Sequence, residues 1–286
     1  MKNTDKAKQS KIVLPNDSGE LTFKWSQIEP IYKQVIKEAS KNLKMNGFRK
    51  GKVPTKVAEK QLDKKQVIGR VIEILSPKEF SKEIKKNKDL APISRPQAIP
   101  IQTEKGRTWK IRVEFAQRSK VKLGNYKSLV KKAKKSVKKK DKKQSEQDHN
   151  TEILNVVFRE LIKTVQPPVQ EILIREQTQY KLQEITRSLE KLNMTVSDYL
   201  TKRKLTSEQL LRQLSAESLG YIQLQFILEE IARTAKITVS QIEIDKTLEG
   251  IKDKKVKELY STQPQYQNNL KKNLLRQKIT DHLLQI

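Results

Sequence analysis

The first 120 residues alternate between the hydrophobic patterns of strands and of helices. Apolar and polar positions alternate over residues 11–14 and 21–25, on either side of turn-forming residues 16–19. This spacing predicts a β-hairpin with a loop. A helix is then predicted from Ser26, where Ser26 and Glu29 match a capping box, to about Leu43.

Two more helices and a closing strand complete the predicted N-terminal half. One helix follows Pro54, and the next carries an apolar stripe from Val67 past Pro77 to Ile84. Prolines 92, 96 and 100 interrupt the pattern, after which strict alternation over residues 108–116 predicts a return strand. The N-terminal half is therefore predicted to be α+β.

The remainder of the chain has a helical period throughout, and no strand is predicted there. Pro167 and Pro168 precede a long amphipathic segment that ends near Asn193 and would make a helix about 39 Å long. Asn150 is the expected cap of the preceding helix. Capping boxes are predicted at Thr206 with Gln209 and at Thr238 with Gln241, and Pro264 precedes a last amphipathic helix. We expect an all-α, elongated domain with helical arms.

Charge divides the chain into a basic first half and a nearly balanced second half. Residues 1–123 contain 30 Lys and Arg against 13 Asp and Glu, and residues 151–286 contain 21 against 17. Between them, residues 124–150 contain nine lysines from Lys131 to Lys143 and few apolar side chains, which predicts a flexible linker. The expected organisation is a domain over 1–123, a linker over 124–150 and a helical domain over 151–286. The basic half is expected to meet a polyanion.

Catalytic chemistry has no residues to support it. There is no cysteine, and the two histidines, His149 and His282, have no carboxylate cluster or nucleophile near them in sequence. No phosphate-binding glycine motif is present. We therefore expect no enzyme activity, catalytic residue, metal or cofactor. No apolar run approaches a membrane span, and the N-terminus is polar, so the sequence predicts a cytoplasmic protein without membrane contact.

The most informative segment is the run GFRKGKVP at residues 47–54. An aromatic and two long cationic side chains stand between glycines that permit a tight loop, and a proline suited to a helix start follows. Such a loop is able to place an aromatic in a crevice and cations on phosphate or carboxylate. Its candidate binding residues are Gly47, Phe48, Arg49, Lys50, Gly51, Lys52 and Pro54.

This run resembles the ribosome-docking motif of the trigger factor family of bacterial chaperones. The order of predicted elements over roughly the first 115 residues is similar to that family's ribosome-binding domain, and residues 193–200 and 226–239 resemble its chaperone domain. Fewer than thirty residues separate the two halves, so the family's FKBP-type prolyl isomerase domain is expected to be missing.

The resemblance implies an ATP-independent chaperone that docks on protein and RNA at the tunnel exit of the large ribosomal subunit and transiently holds nascent unfolded polypeptides. It also allows a homodimer of the free protein. Arm residues expected to contact such clients are Tyr180, Leu182, Tyr199, Leu211 and Phe226. The alternatives are a general basic RNA- or DNA-binding protein without chaperone activity, and a periplasmic chaperone, which the polar N-terminus opposes.

Overall fold

The computed structural model describes residues 12–41, 43–49, 53–87, 90–138 and 145–286. These residues divide into two compact units. The N-terminal unit comprises residues 15–118 with 170–173, and the helical unit comprises residues 119–169 and 174–286 with the segment that ends at Leu14. The strands are β1 (Val13–Leu14), β2 (Asp17–Phe23), β3 (Gln97–Gln102), β4 (Trp109–Phe115) and β5 (Val169–Gln170).

Eleven helices lie within the described ranges. Those of the N-terminal unit are α1 (Trp25–Ser40), α2 (Thr55–Gln61) and α3 (Lys64–Lys86). The others are α4 (Tyr126–Ser136), α5 (Glu146–Val165), α6 (Glu171–Lys191), α7 (Val196–Arg203), α8 (Ser207–Thr234), α9 (Gln241–Glu249), α10 (Lys254–Thr262) and α11 (Pro264–Gln285).

The N-terminal unit is an antiparallel sheet covered by helices. The strand order is β2-β4-β3. Ile111 of the central strand β4 lies between Leu21 of β2 on one side and Pro100 of β3 on the other. Alternate side chains of β4 point into the core, so Trp109, Ile111 and Val113 are fully buried. They pack with the buried faces of α1 and α3, including Ile28 and Val71. The predicted α+β architecture is confirmed, and so are α1, α3 and β4.

The predicted hairpin at the start of the chain is wrong. Residues 16–19 were expected to form its loop, but β2 begins at Asp17 and runs through these residues, paired with β4 rather than with β1. Gly19 lies opposite Val113, more than ninety residues away in sequence. Turn propensity is a local preference, and the long-range ladder with a buried central strand outweighs it.

Strand β3 was not predicted because Pro92 and Pro96 precede it and Pro100 lies within it. Pro100 lies inside the strand, yet β3 pairs with β4 alone within the sheet and is therefore an edge. A proline is tolerated on an edge strand because the side without a partner needs no N–H donor. The two-residue strand β5 is a second element where the sequence predicted none.

The flexible linker over 124–150 is also corrected. Residues Tyr126–Ser136 form α4, capped by the side chain of Asn125, which accepts from the Ser128 N–H at 3.1 Å. Tyr126, Val130 and Ala133 are buried in the core of the helical unit, while five of the other eight positions of the helix are lysines. The apolar stripe at helical spacing thus outweighs the repulsion between lysines. The prediction of a linker rested on average composition, which does not show such a stripe. Lys139 to Gln144, also part of the predicted linker, lie outside the described residues.

Two hydrophobic cores are seen among the described residues of the helical unit. The larger is built from α4, α5, α8 and α11, with Val157, Leu161, Ile227, Ile231 and Leu283 nearly inaccessible to solvent. The smaller joins α9 to α11 through Ile244, Leu248 and Leu270. Burial of these stripes explains why the helical pattern of the sequence is so regular.

Helix caps confirm some sequence predictions and correct others. The Thr206–Gln209 box is present, with the Gln209 N–H donating to Thr206 Oγ1 at 3.2 Å. The box predicted at Thr238 lies instead at Ser240 and Glu243, two residues later. Ser26 and Glu29 lie inside α1, and α5 begins four residues before Asn150, with Ser145 as its cap. At α1 the N-cap is Lys24, whose backbone N–H donates to Gln27 Oε1 at 2.9 Å, and at α5 and α9 a serine caps the helix instead of the predicted Asn150 or Thr238.

Candidate functional site

The candidate docking motif is a tight turn that exposes its aromatic residue. The Phe48 N–H donates to the carbonyl oxygen of Met45 at 3.2 Å, and Gly47 has φ +84°. This combination matches a type II turn, in which the third position needs a positive φ and glycine adopts it without strain. The turn leaves Phe48 39% exposed and Arg49 exposed.

The C-terminal end of the motif is fixed by a helix start. Pro54 is the N-cap of α2 with φ −59°, and its carbonyl accepts from the N–H groups of Val57 and Ala58 at 2.9 Å. Val53 is buried, with 6% of its surface exposed. The motif is thus attached to the unit at Val53 and Pro54. The predicted site residues Lys50, Gly51 and Lys52 lie outside the described residues.

A lysine-lined cleft adjoins this helix start. Two neighbouring cavities of about 780 and 420 Å³ share Tyr32, Lys56, Glu59 and Lys105 in their walls. Six lysines and three glutamates line the two cavities: Lys33, Lys37, Lys56, Lys60, Lys64 and Lys105, with Glu29, Glu59 and Glu104. Lys33 pairs with Glu29 and Lys105 with Glu59, whereas the other four lysines form no ion pair with any described residue. The cleft is therefore suited to an anionic partner.

A hydrogen-bond network that the sequence did not predict lies in the wall of this cleft. Glu59 Oε1 accepts from the Tyr32 hydroxyl at 3.1 Å and from Lys105 Nζ at 2.5 Å. The bond from Lys105 lowers the pKa of Glu59, and burial together with the bond to Glu59 raises the pKa of Tyr32 to about 12. Glu59 is therefore ionised and Tyr32 protonated at neutral pH, as the network requires. Glu59 is 27 positions from Tyr32 and 46 positions from Lys105 in the sequence, so no local sequence motif could have predicted this network.

The predicted client-contact residues differ in their accessibility. Tyr180 and Leu211 are 52% and 46% exposed, and Leu182 and Tyr199 are half-buried. Phe226 is only 8% exposed and belongs to the buried face of α8, so its side chain is not available to a client. Phe226 belongs to the apolar stripe of an amphipathic helix and contributes to its packing.

A groove between α6, α7 and α8 contains one of these residues, Tyr199. It is about 390 Å³ in volume, with the apolar side chains of Ile185, Leu189 and Leu214 in its walls. Lys181, on α6, bonds Glu217 of α8 at 2.9 Å beside the groove. Apolar and charged groups thus alternate over a short distance, and Tyr180, Leu211 and Tyr221 add exposed apolar surface on the same helices.

Metal or membrane features are not seen in the described ranges. Nowhere in them do three or more His, Asp or Glu side chains come together as potential metal ligands. No helix among these residues has the length and apolarity that a bilayer crossing requires.

The chain combines an α+β unit that exposes a basic turn with a helical unit that exposes mixed apolar and charged surface. The family model of the bacterial trigger factor protein matches residues 6–149, and the model of the trigger factor C-terminus matches residues 129–285. The chain therefore belongs to the bacterial trigger factor family. The two matched segments overlap, with no isomerase domain between them.

Individual relatives agree with this family but are longer. The chain is similar to the trigger factor of Lactobacillus gasseri, with 32% identity over 115 residues, 39% of this chain and 25% of the relative. The trigger factor of Streptococcus pneumoniae is 34% identical over 113 residues, 39% of this chain and 26% of the relative. The alignments thus span about a quarter of the length of these curated relatives.

The fold is similar to a solved structure of the trigger factor chaperone, which was described for promiscuous substrate recognition in folding and assembly. The TM-score is 0.52 at 13% identity, covering 94% of this chain and 96% of that chain. The similarity thus extends over both units, including the helical unit.

Proposed function

We propose that this chain is an ATP-independent chaperone of the bacterial cytoplasm that docks at the tunnel exit of the large ribosomal subunit and transiently holds unfolded nascent polypeptides. The observation that carries the proposal is the type II turn at Gly47, which exposes Phe48 next to Arg49 in a chain of this family. The role is one of binding alone, without catalysis or a cofactor.

Docking would use two kinds of contact. Phe48 fills a crevice on ribosomal protein, because a large apolar side chain gains most from leaving water. Arg49 contacts carboxylate or phosphate through its planar guanidinium. The cleft lysines 37, 56, 60 and 64 then contribute sequence-independent phosphate contacts beside the start of α2.

Client holding would use the mixed surface of the helical unit. The groove at Tyr199 and the exposed Tyr180 and Leu211 offer apolar contact, while Lys181, Glu184 and Glu217 interrupt it. Small apolar patches separated by charges favour weak, sequence-tolerant binding, and a client must dissociate in order to fold. We propose residues 15–118 as the docking part and the helical unit as the holding part.

Co-sedimentation with ribosomes across a salt series tests docking. We expect the double variant Phe48→Ala/Arg49→Ala to leave the ribosome at lower salt than the unaltered chain. The matched control is Ile242→Ala/Lys271→Ala, which also removes one exposed apolar and one exposed cationic side chain but on α9 and α11. Equal loss in both variants would mean that docking does not use the turn and that the chain is a nonspecific polyanion binder.

A further inference from the structure

The docking turn lies between two helices, α1 and α2, that are joined by a hydrogen bond between their side chains. The turn follows the end of α1 at Ser40 and precedes the start of α2 at Thr55. Any group that fixes α2 against α1 therefore fixes the two ends of the segment that carries Phe48 and Arg49.

Helix α2 has little to hold it in place by itself. It has only seven residues, and Ala58 is its one buried residue. Its N-cap, Pro54, makes no side-chain capping bond. A short helix with one small buried side chain gains little from hydrophobic burial, and helices of this length are not stable in isolation.

Three side chains supply the missing attachment. Glu59, on α2, accepts from the Tyr32 hydroxyl of α1 at 3.1 Å and from Lys105 Nζ at 2.5 Å, both on the same carboxylate oxygen. Lys105 Nζ also lies 5.6 Å from the centre of the Tyr32 ring, within the range of a cation–π interaction. Each of the three side chains therefore contacts the other two.

Of the two residues that contact Glu59, Tyr32 is held in the core, whereas Lys105 is exposed and is carried by a turn tied to the sheet. Tyr32 is 9% exposed, and its ring packs edge-on against Trp109 at 6.4 Å between ring centres. Lys105 belongs to the tight turn between β3 and β4, in which Gly106 has φ +82°. The indole N–H of buried Trp109 donates to the carbonyl of Glu104 at 3.0 Å, which ties this turn to the sheet.

We propose that Tyr32, Glu59 and Lys105 are positioning residues that pre-organise the docking turn by clamping α2 to α1 and to the β3–β4 turn. This inference rests on the proposed ribosome-docking function and adds a role for residues outside its motif. Binding costs free energy for every segment that must be ordered on contact, and a clamped α2 has already lost that freedom.

The test uses the full chain, with Lys105→Gln and Glu59→Gln as the variants and ribosome co-sedimentation across a salt series as the measurement. We expect each to dock about tenfold more weakly. In Lys105→Gln the slope of log affinity against log salt should stay unchanged, because Lys105 pairs with Glu59 and is not one of the four unpaired cleft lysines. A lysine that contacts phosphate directly would lower that slope by about 0.7 to 0.9.

Two control variants separate the clamp from a loss of charge. Lys110→Gln removes an exposed lysine of β4 that pairs with Glu20 of β2 at 3.7 Å, and it should dock as the unaltered chain does. Lys105→Arg keeps a cation on Glu59 and should restore most of the affinity. The double variant Glu59→Gln/Lys105→Gln should be no weaker than the worse single variant, since both break one network.

Amide hydrogen exchange of residues 55–61 in the free protein supplies a measurement that needs no ribosome. Exchange should accelerate in Lys105→Gln and Glu59→Gln but not in Lys110→Gln. The proposal of a clamp is overturned if Lys105→Gln docks no more weakly than Lys110→Gln. It is also overturned if Lys105→Gln lowers the slope of log affinity against log salt by about 0.7 to 0.9, the value for one phosphate contact. If the unaltered chain does not dock, both the proposed function and the docking role of the clamp are wrong. If the unaltered chain docks and the variants dock equally well, only the clamp is wrong.

Discussion

The amide Nε2 of Gln223 donates a hydrogen bond to the backbone carbonyl of Pro167 at 3.0 Å in the interior of the helical unit. Gln223 lies in the middle of α8 with 4% of its surface exposed. The bond joins α8 to the bend between α5 and β5, where Gln166 has φ +42°. A buried polar side chain is therefore matched to a carbonyl that follows the end of α5.

Replacing Gln223 with leucine should lower the free energy of unfolding of the helical unit by about 1–3 kcal/mol, because the Pro167 carbonyl would stay buried without a donor. Urea unfolding followed by circular dichroism at 222 nm checks this value. The control is Gln225→Leu on the same helix, which is half-buried, and its midpoint should move by less than half as much. Equal shifts would mean that the bond to Pro167 contributes nothing specific.

Val130→Ala tests whether residues 126–136 form a packed helix or a flexible linker. Val130 is fully buried in the larger core of the helical unit, so we expect a loss of about 2 kcal/mol in unfolding free energy from lost burial and the resulting cavity. The neighbouring Lys131→Ala, at an exposed position, should change stability by less than about 0.5 kcal/mol. The linker hypothesis requires both changes to be neutral in urea unfolding.

Acid should release the contact between α9 and α11. Lys278 Nζ donates to Glu243 Oε1 at 2.7 Å and to the Thr238 carbonyl at 2.7 Å. The bond from Lys278 and those from Ser240 lower the pKa of Glu243 to about 2. Because the folded pKa lies below the ordinary value of 4.5, the carboxylate stabilises the fold above pH 4.5, and this contribution disappears as the pH falls toward 2.

The difference in thermal midpoint between the unaltered chain and Glu243→Gln measures this contribution. It should be constant from pH 7 to about pH 5 and shrink between pH 4.5 and pH 2. Glu249→Gln, at an exposed position near the end of α9, is the control and should show no such trend. A difference that stays constant down to pH 2 would contradict the assignment.

The cleft lysines should determine how steeply docking depends on salt. In Lys56→Gln/Lys60→Gln/Lys64→Gln the slope of log ribosome affinity against log salt should fall by about 2, since each lost phosphate contact contributes about 0.7. Lys255→Gln/Lys271→Gln/Lys272→Gln removes the same charge from exposed positions of α10 and α11 and should leave the slope unaltered. A similar drop in both triple variants would assign the salt dependence to overall charge.

Client holding should depend on exposed apolar side chains of α6 and α8. The variant Tyr180→Ser/Leu211→Ser removes two side chains that are 52% and 46% exposed, and we expect about tenfold weaker binding to a permanently unfolded, reduced α-lactalbumin. Binding is measured by fluorescence anisotropy of the labelled client. The control Ile242→Ser removes a side chain that is 67% exposed on α9, outside these helices, and should bind normally. Equal loss in the control would mean that client binding follows exposed apolar area in general.

The sequence by itself determined the features that depend on local periodicity and on short motifs. The apolar stripe of α3, the alternation of β4 and the cap at Thr206 each lie within one element, so neighbouring residues suffice to predict them. The same holds for the turn at Gly47, because only a few residue types permit a positive φ. The resemblance to the trigger factor family also rested on such contiguous segments.

Only the tertiary structure decided the features that depend on residues distant in sequence. Gly19 enters a strand because Val113 lies opposite, Pro100 is accepted because β3 is an edge, and Phe226 lies on the buried face of α8. The Tyr32, Glu59 and Lys105 network likewise joins three elements that no sequence pattern connects. Pairing, burial and side-chain bonds between distant residues follow from the packing of the whole unit, and packing overrides local preference wherever the two conflict.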